Sequence, residues 1–464
     1  MAASASLPRQ HGEDEMLLHP DSRRAAPTGT APWREWWLVG VLTVASMLAY
    51  IDKNIVSLMV VSIQKDLGLR PAQVTLALGT AFAIANILIS IPAGWLADRV
   101  QRRSIVAVAI LLWSAMAIAC GNVTGFVTLL LARAGVGLAE GLLPPACYSM
   151  IGDGVSPQRR ARALGVFSMS NLVGTGLAFL GGGLLLGLLG RVDYSGLPLV
   201  GHLPPWGLAL VITGALGFPL LLLVFLFREP KRHKAASDKA AADRAEASPE
   251  PPSWSEVLRA LAARRGMLVP LAIFSVAHAM LTNSVNLWIA PLLMGRFGLT
   301  PAQIGTLSGA LLLTAGPIGL FVAGAVIDRL NRQGRHGAQL IALVVAAIML
   351  PCAIFHGLAA TQASFWFWQA LLLLVATTYL LVTSSIVTRE LPPAMVGRAI
   401  AIFLLLQGLL GVGLAPTMTA LAIETVFAGD AQPIGHAMAT MHGAYAAVAL
   451  VAAIVMFRRG RALR

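Results

Sequence analysis

The stretch GLRPAQVTLALGTAFAIANILISIPAGWLADRVQRR, residues 68–103, recurs as GLTPAQIGTLSGALLLTAGPIGLFVAGAVIDRLNRQ at residues 298–333. The two stretches share twelve of thirty-six positions without a gap, including a loop hexapeptide and an Asp-Arg-x-x-Arg sequence. Two unrelated apolar segments would share scattered alanine and leucine, but they would not keep these polar residues in register. A second internal similarity, at a shift of 236 residues, relates the segment that begins at Pro157 to the segment that begins at Pro393. The chain therefore contains two duplicated halves.

Composition places both halves in a membrane. The chain has 464 residues, of which 57% are hydrophobic and only 12% charged, whereas soluble proteins carry about 25% charged residues. Apolar stretches of about twenty residues recur throughout, each long enough to cross ~30 Å of hydrocarbon as a helix. They are continuously apolar rather than alternating, so they are helices and not barrel strands. We predict an all-α membrane protein with twelve transmembrane helices in two pseudo-symmetric six-helix bundles. The predicted spans are 36–63, 73–97, 104–122, 125–149, 161–189, 206–227, 267–294, 301–327, 337–357, 363–388, 398–426 and 437–457.

The distribution of lysine and arginine predicts the orientation. With both termini inside, 28 of the 34 basic residues fall on the cytoplasmic side and four on the other, as the positive-inside rule requires. We therefore expect a multi-pass protein of the inner membrane with both termini cytoplasmic. The predicted organisation is a disordered N-tail (1–35), an N-terminal six-helix bundle (36–227), a cytoplasmic linker with a short helix (228–266), a C-terminal six-helix bundle (267–457) and a basic tail (458–464). In the linker, Ser253 to Glu256 form a capping-box pattern before an apolar stripe, which fits an interfacial helix or a plain linker helix equally.

Several other classes are disfavoured. The net charge of +13 is scattered through short loops, so it does not form a nucleic-acid patch. Cys120, Cys147 and Cys352 lack metal-ligand or disulfide spacing and suit packing. His278 and His442 have no carboxylate or cysteine at ligand spacing, so we expect neither an enzyme nor a bound metal or cofactor. A transport-derived sensor would carry a signalling domain, which none of the loops is long enough to form.

Four charges lie deep inside the predicted spans, namely Asp52, Lys53, Arg133 and Glu140. Each unpaired charge at a helix centre costs roughly 2.5 to 3.5 kcal/mol on insertion scales, so these residues should face the bundle interior and pair. Arg133 and Glu140 are seven residues apart and share a helix face. We predict that the four residues form one network and respond to protons. The alternative is an ion cluster that only fixes helix packing.

The repeated Gly-x-x-x-Asp-Arg-x-x-Arg motif predicts a conformational latch at the cytoplasmic ends of the second and eighth spans. The glycines would allow close helix approach, and the aspartates could pair with basic groups or helix N-termini of the opposite half. Two similar bundles that rock about a central axis provide alternating access, and this latch would close the cytoplasmic side. The alternative is that the arginines only mark cytoplasmic loops under the positive-inside rule. That alternative explains the arginines of the motif but not its aspartates. The latch residues are Gly94, Asp98, Arg99, Arg102, Gly324, Asp328, Arg329 and Arg332.

These motifs resemble a known family. Residues 94–103 (GWLADRVQRR) resemble the signature loop of the major facilitator superfamily, and residues 133–137 (RAGVG) resemble its fourth-helix motif. The finer resemblance is to the spinster-like branch, although anion-symporter branches share much of it. It rests on Tyr50 to Lys53, Arg133 to Glu140, and the segments 144–153, 159–165, 205–206 and 228–230. The branch usually has arginine where this chain has Lys53.

The resemblance implies a secondary active transporter in which Asp52 and Glu140 are proton-responsive carboxylates, with Arg133 and Lys53 as their partners. It suggests an amphipathic lysolipid-like or organic anionic substrate, with Lys53 and Arg133 as countercharges. The alternative is a proton symporter that imports small organic acids. We expect protons and membrane lipids as further partners, and a monomer. Further candidate substrate contacts are Tyr50, Asn54, Asn86, His278, Asn283 and Gln407. We interpret His278 more readily as a packing histidine, and Glu424, near the outer end of the eleventh span, as a water-exposed residue.

Overall fold

The computed structural model describes residues 32–227, 229–230, 252–333 and 336–462, and these residues form helices and connecting loops without a strand. Twelve of the helices are long and apolar enough to cross a membrane, which confirms the predicted number of spans for the described residues. In chain order the helices are α1 Pro32–Leu58, α2 Pro71–Arg99, α3 Arg102–Gly121, α4 Phe126–Gly154, α5 Pro157–Leu189, α6 Pro205–Leu226, α7 Trp254–Ala263, α8 Arg265–Phe297, α9 Pro301–Arg332, α10 Gly337–Leu358, α11 Gln362–Glu390, α12 Pro393–Thr425 and α13 Pro433–Gly460. After its 3₁₀ turn α1 continues as the short helix Val60–Leu67, and a further short helix, α7, precedes the second half.

Most helices extend beyond the predicted spans because their charged ends continue the helix past the apolar segment. Residues 32–35, predicted as part of the N-tail, form the first turn of α1, where Glu35 is buried and accepts a hydrogen bond from Arg159 at 3.1 Å. Residues 265–266, predicted as linker, begin α8. The predictions for residues 1–31, for 231–251 of the linker and for 463–464 of the tail lie outside the described residues.

The duplication is visible in local geometry. Gly68 and Gly298, at matching positions after the first span of each half, adopt left-handed φ values of 62° and 63°. The next helix then begins in the same way in both halves, since Gln73 and Gln303 accept a hydrogen bond from the backbone N–H three residues earlier at 3.0 Å. In addition, α4 and α11 are both 29 residues long and are related by the 236-residue shift. The two halves are therefore structural repeats.

The helix ends define two faces of the molecule. The basic face, which carries Asp98, Arg102, Arg332 and Arg389 at the ends of α2, α3, α9 and α11, also holds the start of α1 and the end of α13. The basic face also holds the ends of α4 and α6 and the starts of α5, α8, α10 and α12, and the opposite face holds the other end of each spanning helix. We use these two terms below.

The two halves pack against each other towards the opposite face. Helices α5 and α9 approach so closely that a Cβ atom on Gly183 would lie 2.8 Å from the Cα of Gly305. Helices α2 and α12 are joined by a hydrogen bond that Thr80 donates to the carbonyl of Gly413 at 2.5 Å. The backbone N–H of Ala72 donates to a carboxylate oxygen of Glu424 at 2.7 Å. The opposite face is therefore closed.

Towards the basic face the halves separate. Among the described residues, neither Thr378–Glu390 of α11 nor Pro393–Leu406 of α12 packs extensively against a helix of the first half. The central space between the bundles is consequently open towards the basic face.

Regular α-helical geometry is interrupted in five spanning helices. Interruptions of this kind free backbone groups that neighbouring helices must satisfy, and they occur where a helix lines a cavity or bends. They are the 3₁₀ turn Val56–Leu58 in α1, the π-helical segments Leu76–Ala81 in α2 and Gln407–Leu414 in α12, and the breaks at Leu216 in α6 and at 376–377 in α11.

The predicted short helix after the linker is α7. Ser253 caps it by accepting a hydrogen bond from the backbone N–H of Glu256, and Glu256 accepts one from the backbone N–H of Ser253 at 2.6 Å. The Trp254 ring is 56% exposed and lies 5.4 Å from the guanidinium of Arg398 at the start of α12. Helix α7 is thus attached to the basic face of the second half.

Candidate functional site

A buried ion pair joins α1 to α4 in the first half. The Asp52 carboxylate lies 3.5 Å from the guanidinium of Arg133, and both side chains are at most 1% exposed. The second oxygen of Asp52 accepts a hydrogen bond from the hydroxyl of Thr213 on α6 at 3.2 Å. Three helices therefore converge on one carboxylate, which explains how charges can be held in an apolar bundle.

The Arg133 guanidinium has little hydrogen bonding for a buried group. None of its three nitrogens has a hydrogen-bond partner among the described residues, and its ion pair with Asp52 is long. Its remaining favourable contact is the ring of Phe82, whose centroid lies 5.4 Å away. A guanidinium has five donors in a fixed fork, and among the described residues none of them is used in a hydrogen bond.

Lys53 and Glu140 lie beside this pair. The Lys53 ammonium is 5.2 Å from the ring centroid of Phe82 and 5.8 Å from that of Tyr50. It is only partly buried, and Glu140 lies within electrostatic reach of it and of Arg133. Among the described residues, neither Lys53 nor Glu140 forms an ion pair with any partner. The four predicted charges therefore lie in one region, where Asp52 and Arg133 form an ion pair and Lys53 and Glu140 lie beside it.

Two members of the site were not predicted from the sequence. Thr213 binds Asp52, and Phe82 lies against both cations. A threonine or phenylalanine within an apolar span gives no signal of its own, because both residue types are common in helix packing. Only the assembled bundle identifies them.

The other candidate contacts are placed as follows. Asn54 donates to the carbonyl of Tyr50 at 2.8 Å and to the hydroxyl of Thr175 at 3.3 Å, which joins α1 to α5. Asn86 donates to the carbonyl of Gly137, and Asn283 donates to that of Ala279. All three amides are hydrogen-bonded and partly buried. Tyr50 lies beside Lys53 of the charged cluster and Asn54 is the next residue of α1, whereas Asn283 belongs to the second half.

His278 is placed in packing. Its ring is fully buried against Tyr379 at 4.9 Å, and Nε2 lies 3.0 Å from the carbonyl of Ala376, at the break in α11. A carbonyl released by a helix break requires such a partner. The geometry thus favours the packing interpretation of His278. Gln407, 6% exposed, is the first residue of the π-helical segment of α12.

The charged cluster is confined to the first half. At the 230- and 236-residue spacings of the repeat, Asp52 and Lys53 correspond to Thr282 and Asn283, and Arg133 and Glu140 correspond to Gln369 and Ala376. The second half therefore has uncharged residues at all four positions, and the two bundles carry different chemistry on a shared fold.

The two copies of the latch motif differ as well. Arg102 is fully buried and is bound within the first half by Asp153 and by Glu229, the latter at 3.2 Å. Its counterpart Arg332 is exposed and donates to the carbonyl of Asp328. Asp98, Arg99, Asp328 and Arg329 are exposed on the basic face. No atom of another helix lies within 4 Å of the place where a Cβ of Gly94 would stand, whereas Leu381 lies 3.7 Å from that of Gly324.

Comparison with known proteins gives the family. A family model described as Major Facilitator Superfamily matches residues 42–416. The chain belongs to this superfamily. Its members are transporters, so this major facilitator protein is a multi-pass membrane transporter and not an enzyme.

Its relatives support the narrower resemblance. The protein is 27% identical over 428 residues to an MFS-type efflux pump of Mycolicibacterium smegmatis, covering 91% of this chain and 92% of that one. It is 28% identical over 331 residues to a sphingosine-1-phosphate transporter of Danio rerio, covering 68% of this chain and 60% of that one. A crystal structure of a bacterial homologue of the human lysosomal transporter spinster, inward-facing and unoccupied, aligns with a TM-score of 0.77 and 25% identity, covering 93% of this chain and 98% of that chain. This major facilitator protein is therefore similar in sequence and fold to spinster proteins.

Proposed function

We propose that the protein is a proton-coupled secondary transporter that moves an amphipathic lysolipid-like or organic anionic substrate across the membrane by alternating access. The observation that carries the proposal is the buried Asp52–Arg133 pair with Lys53 and Glu140 beside it. A carboxylate that holds a cation exchanges that partner for a proton when it is protonated. Protonation of Asp52 or Glu140 would then release Arg133 or Lys53 towards a substrate anion.

The orientation follows from the basic residues. The basic face is the cytoplasmic one under the positive-inside rule, so both termini are cytoplasmic in this proposal and the membrane is the inner membrane. The conformation described above, closed at the opposite face, is then the inward-open state. The proposed latch at Gly94, Asp98 and their counterparts Gly324 and Asp328 would act in the other state, when the cytoplasmic ends meet.

The proposed substrate class rests on the positive charges of the site and on the similarity to known transporters. Lys53 and Arg133 supply two cations next to the aromatic rings of Phe82 and Tyr50, a combination that suits a molecule with an anionic head and an apolar portion. The similar protein of Danio rerio is named a sphingosine-1-phosphate transporter, and sphingosine-1-phosphate has an anionic head and an apolar portion. We propose that the protein works as a monomer and that membrane lipids surround it.

The test uses purified protein reconstituted in proteoliposomes. A substrate is first selected by thermal stabilisation with lysophospholipids and small carboxylates, each at acidic and neutral pH. Its uptake under an imposed pH gradient and the accompanying proton flux are then measured for Asp52→Asn, Glu140→Gln and the matched control Asp193→Asn, which lies in an exposed loop. We expect the stimulation of uptake by the pH gradient to be at least 10-fold smaller in one or both site variants than in the wild type. The control should keep the wild-type stimulation.

Undiminished gradient dependence in both site variants would contradict the coupling proposal. Small organic acids remain the second candidate substrate class. Stabilisation by carboxylates but not by any lysophospholipid would replace the amphipathic substrate by that class, and it would leave the proton coupling to be judged by the same variants.

A further inference from the structure

The starting point is the fully buried Arg102 at the beginning of α3. Its side chain bonds Asp153 near the end of α4, Glu229 at 3.2 Å, the hydroxyl of Ser149 at 3.0 Å and the carbonyl of Pro230 at 2.8 Å. A guanidinium from α3 thus fills the space between three helix ends on the basic face, and two carboxylates of the same half neutralise it. The first half satisfies this position entirely from within the chain.

The matching position of the second half has different residues. Helices α4 and α11 correspond at a shift of 236 residues along their whole length, so Ser149 corresponds to Ser385 and Asp153 corresponds to Arg389. Helix α10, the counterpart of α3, begins Gly337-Ala338-Gln339 and has no arginine in its first turn. In the second half the counterpart of Arg102, Arg332, is exposed at the end of α9 and does not fill the space, and Arg389 puts a cation where the first half has an anion.

A cavity is present at this position. It measures about 390 Å³ and lies between the ends of α9, α10 and α11 on the basic face. The size falls in the range of small-molecule sites. Most of its lining side chains carry hydrogen-bond donors. The lining residues are Asn331, Ala338, Gln339, Ser385, Ile386, Thr388 and Arg389.

We propose that this cavity binds a phosphate-bearing anion, either the headgroup of an anionic phospholipid or free phosphate. The anion would take the place that the Arg102 guanidinium occupies in the first half, with Arg389, at the position of Asp153, as its countercharge. Guanidinium groups bind phosphate through two parallel hydrogen bonds, and the hydroxyl of Ser385 and the amide of Gln339 supply further donors.

The surroundings favour an anion. Arg329 and Arg332 are exposed at the end of α9, next to Asn331, and they add positive potential at the mouth of the cavity. Among the described residues that line it, none is a carboxylate. The site lies on the face that our proposed orientation puts at the cytoplasmic headgroups, and anionic lipids are attracted to basic residues at that depth. Bound there, the anion would join three helix ends of the second half.

The experiment measures stabilisation of the purified full-length protein in a neutral detergent. Phosphatidylglycerol, phosphatidylcholine and inorganic phosphate are titrated separately, and the shift in Tm gives an apparent affinity for each. The variants are Arg389→Gln, the charge-keeping Arg389→Lys, and the matched control Arg162→Gln, an exposed arginine at the same face of the first half. Because loss of a charge-assisted bond weakens binding by about 10-fold or more, Arg389→Gln should lose at least that factor, while Arg162→Gln should lose less than 3-fold.

The lipid and phosphate titrations distinguish the two sources. Stabilisation by phosphatidylglycerol alone, lost in Arg389→Gln and partly kept in Arg389→Lys, supports the headgroup. The same pattern with inorganic phosphate supports a soluble anion. Equal stabilisation of wild type and Arg389→Gln by every anionic probe, or equal effects of phosphatidylcholine and phosphatidylglycerol, would overturn the proposal. This outcome is independent of whether transport is proton-coupled, since the probe is not the transported substrate.

Discussion

At the scale of single residues, the cations of the site are held in different ways. Arg133 is buried and faces Asp52, whereas Lys53 is partly exposed and lies on aromatic rings without an ion pair among the described residues. An ammonium is a compact charge on a flexible stem, while a guanidinium is a rigid fork. Within the proposed function, Lys53 can therefore change partners more freely than Arg133, whose release requires the protonation of Asp52.

This difference predicts unequal costs of substitution. Removing one partner of a buried pair leaves an uncompensated charge and costs about 3–5 kcal/mol. Arg133→Gln should therefore lower the thermal stability of the purified protein strongly, and the double variant Asp52→Asn with Arg133→Gln should recover much of the loss. Lys53→Gln serves as the control and should change stability by a small fraction of this amount. Additive losses in the double variant would show that Asp52 and Arg133 are not energetically coupled.

At the scale of helices, two irregular segments meet across the interface of the halves. The π-helical segment of α2 lies against that of α12, and Thr80 is close to both Gly413 and Thr417, its hydroxyl being 3.0 Å from that of Thr417. Segments of this kind are frequent at functional sites because they shift side chains and free backbone groups. The first turn of α2 also receives Glu424 from α12, a carboxylate at a helix N-terminus, which the helix dipole stabilises. The interpretation of Glu424 as merely water-exposed was wrong in this respect, because it bonds the opposite half.

The contact predicts a role for Glu424 in closing the opposite face. Glu424→Gln removes the charge but keeps the shape, so the closed arrangement should lose a fraction of its population. Spin labels at Arg70→Cys and Val426→Cys, on the two halves at this face, should then report an added population at longer distance by pulsed electron resonance. Asp430→Asn, in the loop after α12, is the control and should leave the distance distribution unchanged. An unaltered distribution in Glu424→Gln would argue against the contact as a closure device.

At the scale of the whole molecule, closure depends on two bundles that fit together through glycine. Along α5 and α9, the backbones of Gly183 and Gly305 are in contact, and a Cβ on Gly183 would also lie 2.8 Å from the carbonyl oxygen of Pro301. Small residues allow helices to approach in this way. A rocking transporter must form and break this contact in each cycle, so its shape matters even though no charge is involved.

A side chain at this contact should prevent closure of the opposite face. Gly183→Val would force α5 and α9 apart, and we expect transport to fall 10-fold or more while the protein still folds, as judged by size-exclusion chromatography. Gly181→Val, on the same helix, is the matched control. Among the described residues no neighbouring atom lies within 4 Å of the place where a Cβ on Gly181 would stand. Equal transport by the two variants would mean that the approach of α5 to α9 is not required in the cycle.

The number of spans, the duplication and the burial of Asp52 and Arg133 were accessible from the sequence, whereas the burial of Glu35 and Arg102 was not. Hydrophobic length and polar residues in register are one-dimensional signals, and the cost of a charge in hydrocarbon applies to Asp52 and Arg133 before any fold is known. The ends of the helices were less accurate, because charged residues such as Arg99 and Glu390 continue a helix beyond the apolar segment. The spinster-like resemblance followed from local motifs in the first half.

Only the tertiary structure decided which groups meet. It showed that Thr213 and Phe82 complete the charged site, that Glu424 caps α2 across the interface, and that Arg102 is neutralised by Asp153 and Glu229. These contacts join residues tens to hundreds of positions apart, and neither hydropathy nor composition encodes such distances. The sequence determined that this chain is a duplicated twelve-helix transporter with charges in one half. The packing of the halves determined which face is closed, because closure depends on surface shape, which a linear pattern does not contain.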